Sequence, residues 1–256
     1  RQAYTDVPEV IAYGPTEGLP EFRSALADYY RRWGVPVESD EIIVTNGGSE
    51  AITFALLAVT SPGDEVIIPE PYYANYNGFA AMAGVHVVPV ETSLESGFAL
   101  PSAEEFEAKI SEKTRAILFS NPGNPTGAVY TEEKLEELTE LAARRGVYLL
   151  SDEVYREFTY DGTRAIPLLS FEGMEEYVLT VDSISKRYSA CGARIGSLVT
   201  KNERIRKLVH KFAQARLCPP TVDQLAATAA VESSEDYLKE VVEEYRRRRD
   251  TAEAPP

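Results

Sequence analysis

Short apolar, β-branched runs alternate along this chain with stretches whose apolar residues recur every three or four positions. Runs at 41–45, 65–68, 85–88, 115–119, 147–150 and 178–181 read as buried strands, and 195–199 reads as a seventh. Between them the spacing predicts helices over 49–59, 73–83, 102–110 and 131–145. Thr131 opens the last of these with a capping box and acidic residues in the first turn. After Lys201 the pattern is helical throughout: 203–216, 221–232 and 234–249. Arg246 to Arg249 form the solvated end of the final helix, with Thr251–Pro256 expected outside it. Alternation of this kind means βαβ units. The expected class is α/β, a three-layer αβα sandwich around a mostly parallel seven-stranded sheet. Such sheets bind ligands at the carboxyl ends of their strands.

Composition narrows the classes of partner. With 256 residues the chain can bury a large core, and no apolar run approaches the roughly 20 residues of a membrane-spanning helix. A net charge of −15 argues against a nucleic-acid groove, which needs a basic surface to displace counterions. The two cysteines, Cys191 and Cys218, lack ligand-like spacing. They exclude a disulfide framework and a Cys-rich metal site, and they suit a reducing cytoplasm. His86 and His210 stand alone and read as surface or packing residues, so no metal site is expected. The first residue is Arg1, which raises the expectation of a longer N-terminus.

Candidate chemistry gathers at strand ends. Lys186 follows the run Tyr177–Val181, where a buried ammonium is costly unless it is paired or its pKa is lowered. A lowered pKa is what an imine-forming amine needs. Asp152 and Tyr155 follow the run that ends at Leu150, and Asn124 lies in the turn-rich loop Ser120–Gly127. Gly47, Gly48 and Ser49 join a strand to a helix start, where free N–H groups and the helix dipole suit a phosphate. Each feature alone has an ordinary reading: a surface lysine, a helix cap, a tight turn, a strand–glycine–helix connection. Together they put an amine, a carboxylate, an amide and a phenol on one rim.

With these motifs in view, Ser-Asn-Pro-Gly-Asn-Pro-Thr-Gly at 120–127, Ser-Asp-Glu-Val-Tyr at 151–155 and Ser-Ile-Ser-Lys…Gly-Ala-Arg-Ile-Gly at 183–196, the chain resembles the fold-type I pyridoxal-phosphate enzymes. The resemblance is to the class I/II aminotransferases of the aspartate aminotransferase superfamily. It implies a transferase of amino acid metabolism that moves an amino group between an L-amino acid and a 2-oxo acid, with pyridoxal 5'-phosphate as cofactor. Lys186 would be the Schiff-base lysine, and Asp152 would pair with the protonated pyridine nitrogen. Asn124 and Tyr155 would hydrogen-bond the phenolic oxygen, and Tyr73 would stack on the ring. Gly47, Gly48, Ser49, Ser183, Ser185 and Arg194 would hold the phosphate end. Tyr13 matches a tyrosine that reaches the phosphate of a neighbouring subunit, so the resemblance implies a homodimer. It also implies cis peptides before Pro71 and Pro125.

The resemblance divides the chain into a cofactor-binding large domain at 1–233 and, at 234–256, an interdomain helix with the start of a small domain. The family's N-terminal glycine segment and most of the small domain, with its carboxylate-gripping arginine, have no counterpart in this sequence. Ser49 stands where one aspartate-specific subgroup carries a lysine, which points away from that subgroup. Tyr72, Tyr73 and Tyr76 suit an aromatic substrate or simple packing equally. Three readings stay open beside transamination: a related lyase or ring-closing reaction on the same cofactor, a cofactor-binding fragment without turnover, and a non-catalytic sensor.

Overall fold

The computed structural model describes residues 11–233 and 235–253. Seven strands form one sheet: β1 (Ile42–Thr45), β2 (Glu65–Glu70), β3 (His86–Glu91), β4 (Thr114–Ser120), β5 (Tyr148–Asp152), β6 (Val178–Ser183) and β7 (Gly196–Val199). Their order is β1-β7-β6-β5-β4-β2-β3. The pairs β2–β3, β2–β4, β4–β5 and β5–β6 are parallel, whereas β7 runs antiparallel to both β6 and β1. The expected mostly parallel, seven-stranded α/β sheet is therefore present.

Strand alternation sorts the core into two layers. In β4, Ile117 and Phe119 face one layer while Ala116 and Leu118 face the other. The first layer is closed by α1 (Pro20–Arg32), α4 (Ala103–Glu107), α5 (Glu132–Arg145) and α8 (Thr221–Val231). The second is closed by α2 (Gly47–Val59), α3 (Asn75–Ala83) and α7 (Glu203–Arg216). Both faces being covered explains why the inner strands are apolar without a break: every residue of β6 is buried.

Element ends differ from expectation in instructive ways. α2 begins at Gly47 rather than Ser49, so both glycines lie in its first turn. α3 begins at Asn75 rather than Tyr73, and α4 spans only Ala103–Glu107. At Thr131 only half of the expected box forms: its side chain accepts from Lys134 N–H, and that third helical position carries no acid to bond back. The last helix, α9 (Glu235–Glu253), continues through Thr251 instead of stopping at Arg249. Thr251 Oγ1 donates to the Arg247 carbonyl at 2.8 Å, and Arg246 pairs with Asp250 at 3.1 Å, while the first proline comes only at 255. Arg249 is also more than a solvated end, since it bonds Asp161 at 2.7 Å. Cis peptides precede Pro71 and Pro125, as expected, and also Pro122.

Candidate active site

The carboxyl ends of β4, β5 and β6 open onto a cavity of about 160 Å³. Its lining contains Gly48, Ser49, Tyr73, Asn124, Asp152, Tyr155, Ser183, Ser185, Lys186 and Arg194. Five chain segments far apart in sequence thus bring most of the expected residues to one place. Gly47 and Tyr13 are not on that surface. Gly47, at φ +74°, lies directly under Arg194, and a Cβ there would sit 2.3 Å from Arg194 Nη2. Tyr13 is 81% exposed, beside Ile11, Asn46 and Cys218 outside the cavity.

Lys186 departs from its expected setting. Burial persists from β6 through Ser183 and Ile184, and then a single turn of helix, α6 (Ile184–Arg187), carries the lysine out. Lys186 is exposed toward the cavity, its Nζ 5.9 Å from the centre of the Tyr155 ring. Desolvation at a strand end is therefore not its distinguishing feature; its direction is. The turn is held by Ser183, whose Oγ accepts from Ser185 N–H at 3.1 Å and donates to the Ile195 carbonyl at 3.0 Å.

Asp152 is the buried charge of the site, at 6% exposure. Burial pushes its carboxyl up to about 6, against hydrogen bonds from Tyr76 Oη and Val154 N–H that favour the ionised form. Tyr76 Oη lies 2.8 Å from Asp152 Oδ2 and is itself buried, with Asp152 and the surrounding desolvation holding its phenol well above the usual range. The sequence offered no way to separate Tyr76 from Tyr72 and Tyr73; only the start of α3 at Asn75 turns Tyr76 inward. Ser120, Val154 and Cys191 also line the cavity without having been foreseen.

Elsewhere on the lining, the first N–H groups of α2 have no intrahelical partners, so its first turn at Gly47–Ser49 carries the positive end of the dipole. Arg194, in the left-handed conformation at φ 56°, lies across that turn, donating to the carbonyls of Cys191 at 2.8 Å and Asn46 at 3.4 Å. Gly196 makes the approach possible: a Cβ on it would fall 2.5 Å from the Gly47 carbonyl carbon.

A layer of charge lies beneath the site. Arg156 and Arg187, each following an expected site residue, are wholly buried against the buried Glu153 and Asp182 and the partly buried Glu157. Sequence reasoning passed over them, because neither lies in a strand and no local pattern marks their side chains as buried.

A family profile described as aminotransferase class I and II matches residues 4–254. The chain belongs to the class I and II aminotransferases. The aspartate/prephenate aminotransferase of Thermus thermophilus is 39% identical over 242 residues, covering 93% of this chain and 62% of the relative. The aspartate aminotransferase of Rhizobium meliloti is 36% identical, covering 93% of this chain and 58% of the relative. The solved structure of an aromatic aminotransferase from Pyrococcus horikoshii superposes with a TM-score of 0.92 at 33% identity, covering 98% of this chain and 67% of that one. The chain spans about three fifths of the length of the curated relatives it matches.

Class I and II aminotransferases use pyridoxal phosphate, and the donor set here fits that group. A helix N-terminus, two hydroxyls and a guanidinium suit a phosphate, a buried carboxylate suits a protonated ring nitrogen, and an amine lines the same cavity. No helix among the described residues is long and apolar enough to cross a membrane. Among the same residues no group of three or more His, Cys, Asp or Glu side chains is arranged to hold a metal.

Proposed function

We propose that this protein is a pyridoxal-phosphate-dependent aminotransferase that moves an amino group between an L-amino acid and a 2-oxo acid, with Lys186 as the amine that holds the cofactor covalently. The observation that carries this reading is the pairing, across one cavity, of an outward-facing lysine with a buried aspartate. When bound, the cofactor supplies an aldehyde for imine formation and a protonated ring that accepts the electron pair of the substrate α-carbon. The chain supplies the rest. Arg194 offers its planar fork, and Ser183, Ser185 and the Gly47–Ser49 turn their donors, to the phosphate. The ionised Asp152 keeps the ring nitrogen protonated. Asn124 and Tyr155 would donate to the phenolic oxygen, and Tyr73 would pack against the ring. Lys186 Nζ would be the base that takes the proton from the substrate α-carbon and the acid that returns it to the carbon of the cofactor's former aldehyde.

In this reading residues 1–233 are the cofactor-binding domain, and 234–256 lead toward a small domain. The protein works as a homodimer in which Tyr13 serves the neighbouring site. Its two free cysteines suit the cytoplasm.

The test is direct. The protein mixed with pyridoxal phosphate should develop a visible absorbance that borohydride fixes to the peptide containing Lys186. Lys186→Ala should lose both that band and nearly all turnover. Amino transfer that depends on an added 2-oxo acid, without release of ammonia, separates transamination from lyase chemistry. Retention of the band and of turnover in Lys186→Ala would sink the assignment.

A further inference from the structure

We propose that Arg187 is a positioning residue for Lys186, acting through a buried ion-pair network beneath the cavity; the proposal rests on the reading of Lys186 given above. The helix that carries the lysine has only four residues, too few to hold itself by backbone hydrogen bonds. Consecutive helical residues point about 100° apart, so the exposure of Lys186 requires its neighbour to point elsewhere. Arg187 points inward, at 0% exposure.

Its contacts are specific. Nη2 donates to both carboxylate oxygens of Asp182 at 2.8 Å, and Nε donates to Glu157 Oε1 at 2.7 Å. The guanidinium carbon lies 4.0 Å from the centre of the Tyr29 ring, in α1. Asp182 Oδ1 also accepts from Ser183 N–H at 2.7 Å, at the residue where strand becomes helix. One carboxylate thus grips both ends of the turn that presents Lys186. From Asp182 the network continues to Arg156, 3.6 Å away, and on to Glu153 Oε2 at 2.6 Å. Glu153 is the residue after Asp152. The strand end bearing the amine and the strand end bearing the carboxylate are therefore tied together from below.

Stability alone is a poor account of this cluster. Glu157 Oε2 and Arg187 Nη1 are buried without a hydrogen-bond partner, and apolar side chains of similar volume often serve a core as well or better. What the guanidinium provides and an apolar side chain does not is a fixed direction, through its planar fork. Above the network little restrains Lys186 except its own flexible stem, so its reach depends on where α6 holds its Cα.

The experiment uses the full chain. It is mixed with pyridoxal phosphate and reduced with borohydride at intervals, and the labelled lysines are mapped by mass spectrometry. Label on Lys186 is expected in the unaltered chain. Arg187→Met keeps length without donors and should slow labelling of Lys186 by about tenfold or more, because displacement of a reacting group by about 1 Å costs that much. Arg187→Lys keeps the charge without the fork and should fall between. Leu141→Ala, in the buried core of α5 and outside the network, is the stability control. It should lower the melting temperature and leave the labelling rate unchanged. If Arg187→Met does not fold, Arg187→Lys and Glu157→Gln carry the comparison. Labelling in the folded network variants at the rate of the unaltered chain overturns the proposal. Slowing of Leu141→Ala to the same degree, at an equal loss of melting temperature, overturns it too. Failure of the function reading looks different: the unaltered chain itself then carries no label at Lys186, and this proposal falls with it.

Discussion

Asp152 has an apolar surrounding that favours its neutral acid and two donors that favour its anion, and the balance leaves it ionising near neutrality. Burial raises its pKa to about 6, while Tyr76 Oη and Val154 N–H work in the opposite direction. Because the folded value is raised above the ordinary 3.8, the group's contribution to folding is fully present below that value. It is lost as pH rises through about 6. Cofactor binding has the opposite sign, since only the ionised carboxylate pairs with a protonated ring nitrogen. Affinity for pyridoxal phosphate should strengthen as pH rises through about 6, and Asp152→Asn should remove that step from a binding titration. Tyr76→Phe should move the same step to higher pH, because it deletes a donor to the anion; an unmoved step would show that Tyr76 does not tune Asp152. Asp152 was legible in the sequence as a carboxylate just past an apolar run. Tyr76 was not, because three tyrosines within five residues are equivalent until a helix start turns one of them inward.

At the scale of elements, the proposed phosphate end depends on how closely β7 runs against the first turn of α2. Gly196 pairs with Thr45 on one side and Ser183 on the other, at the end of each ladder. A Cβ there would meet Gly48 N at 2.7 Å and the Asp182 carbonyl oxygen at 2.8 Å, all backbone atoms with no rotamer to move. Gly196→Ala should therefore destabilise the fold by about 1–3 kcal/mol, as overpacking does, and weaken cofactor binding by pushing α2 away from Arg194. Thermal unfolding and a cofactor titration check the two effects; a variant with unchanged affinity would mean that the approach of β7 to α2 does not shape the phosphate end. The glycine pair at 47–48 and the arginine at 194 stand out in the sequence, but their contact exists only because β1 and β7 lie side by side in the sheet. Periodicity placed strands and helices well and their ends poorly. Helix starts turn on local cap chemistry, such as Thr131 Oγ1 accepting from Lys134 N–H.

For the whole molecule, one face of the described chain exposes an aliphatic and an aromatic side chain beside the same hollow. Ile11 and Tyr13 are 60% and 81% exposed, next to a hollow that also includes Cys218, Pro219 and Pro220. The proposed homodimer gives this face a partner. Sedimentation should report a dimer, and Tyr13→Phe should weaken cofactor affinity while leaving the unfolding temperature nearly unchanged. Tight cofactor binding by a species that sediments as a monomer would remove Tyr13 from the site. The buried ion-pair network belongs to this scale as well. Its members come from α1, from the segments after β5 and from β6 with α6, and no window of sequence contains them all.

By itself the sequence determined the sheet class, the strand ends that open onto the cavity and the polar groups placed there. Those follow from local alternation and from residue types with few structural uses at such positions. Only the tertiary structure decided which way each group points. Lys186 is turned outward by one short helix, Asp152 meets Tyr76 from another element, and Arg156 and Arg187 find their carboxylates below the cavity. Direction and pairing depend on contacts between distant segments, and burial energies of this kind exist only once those segments have met.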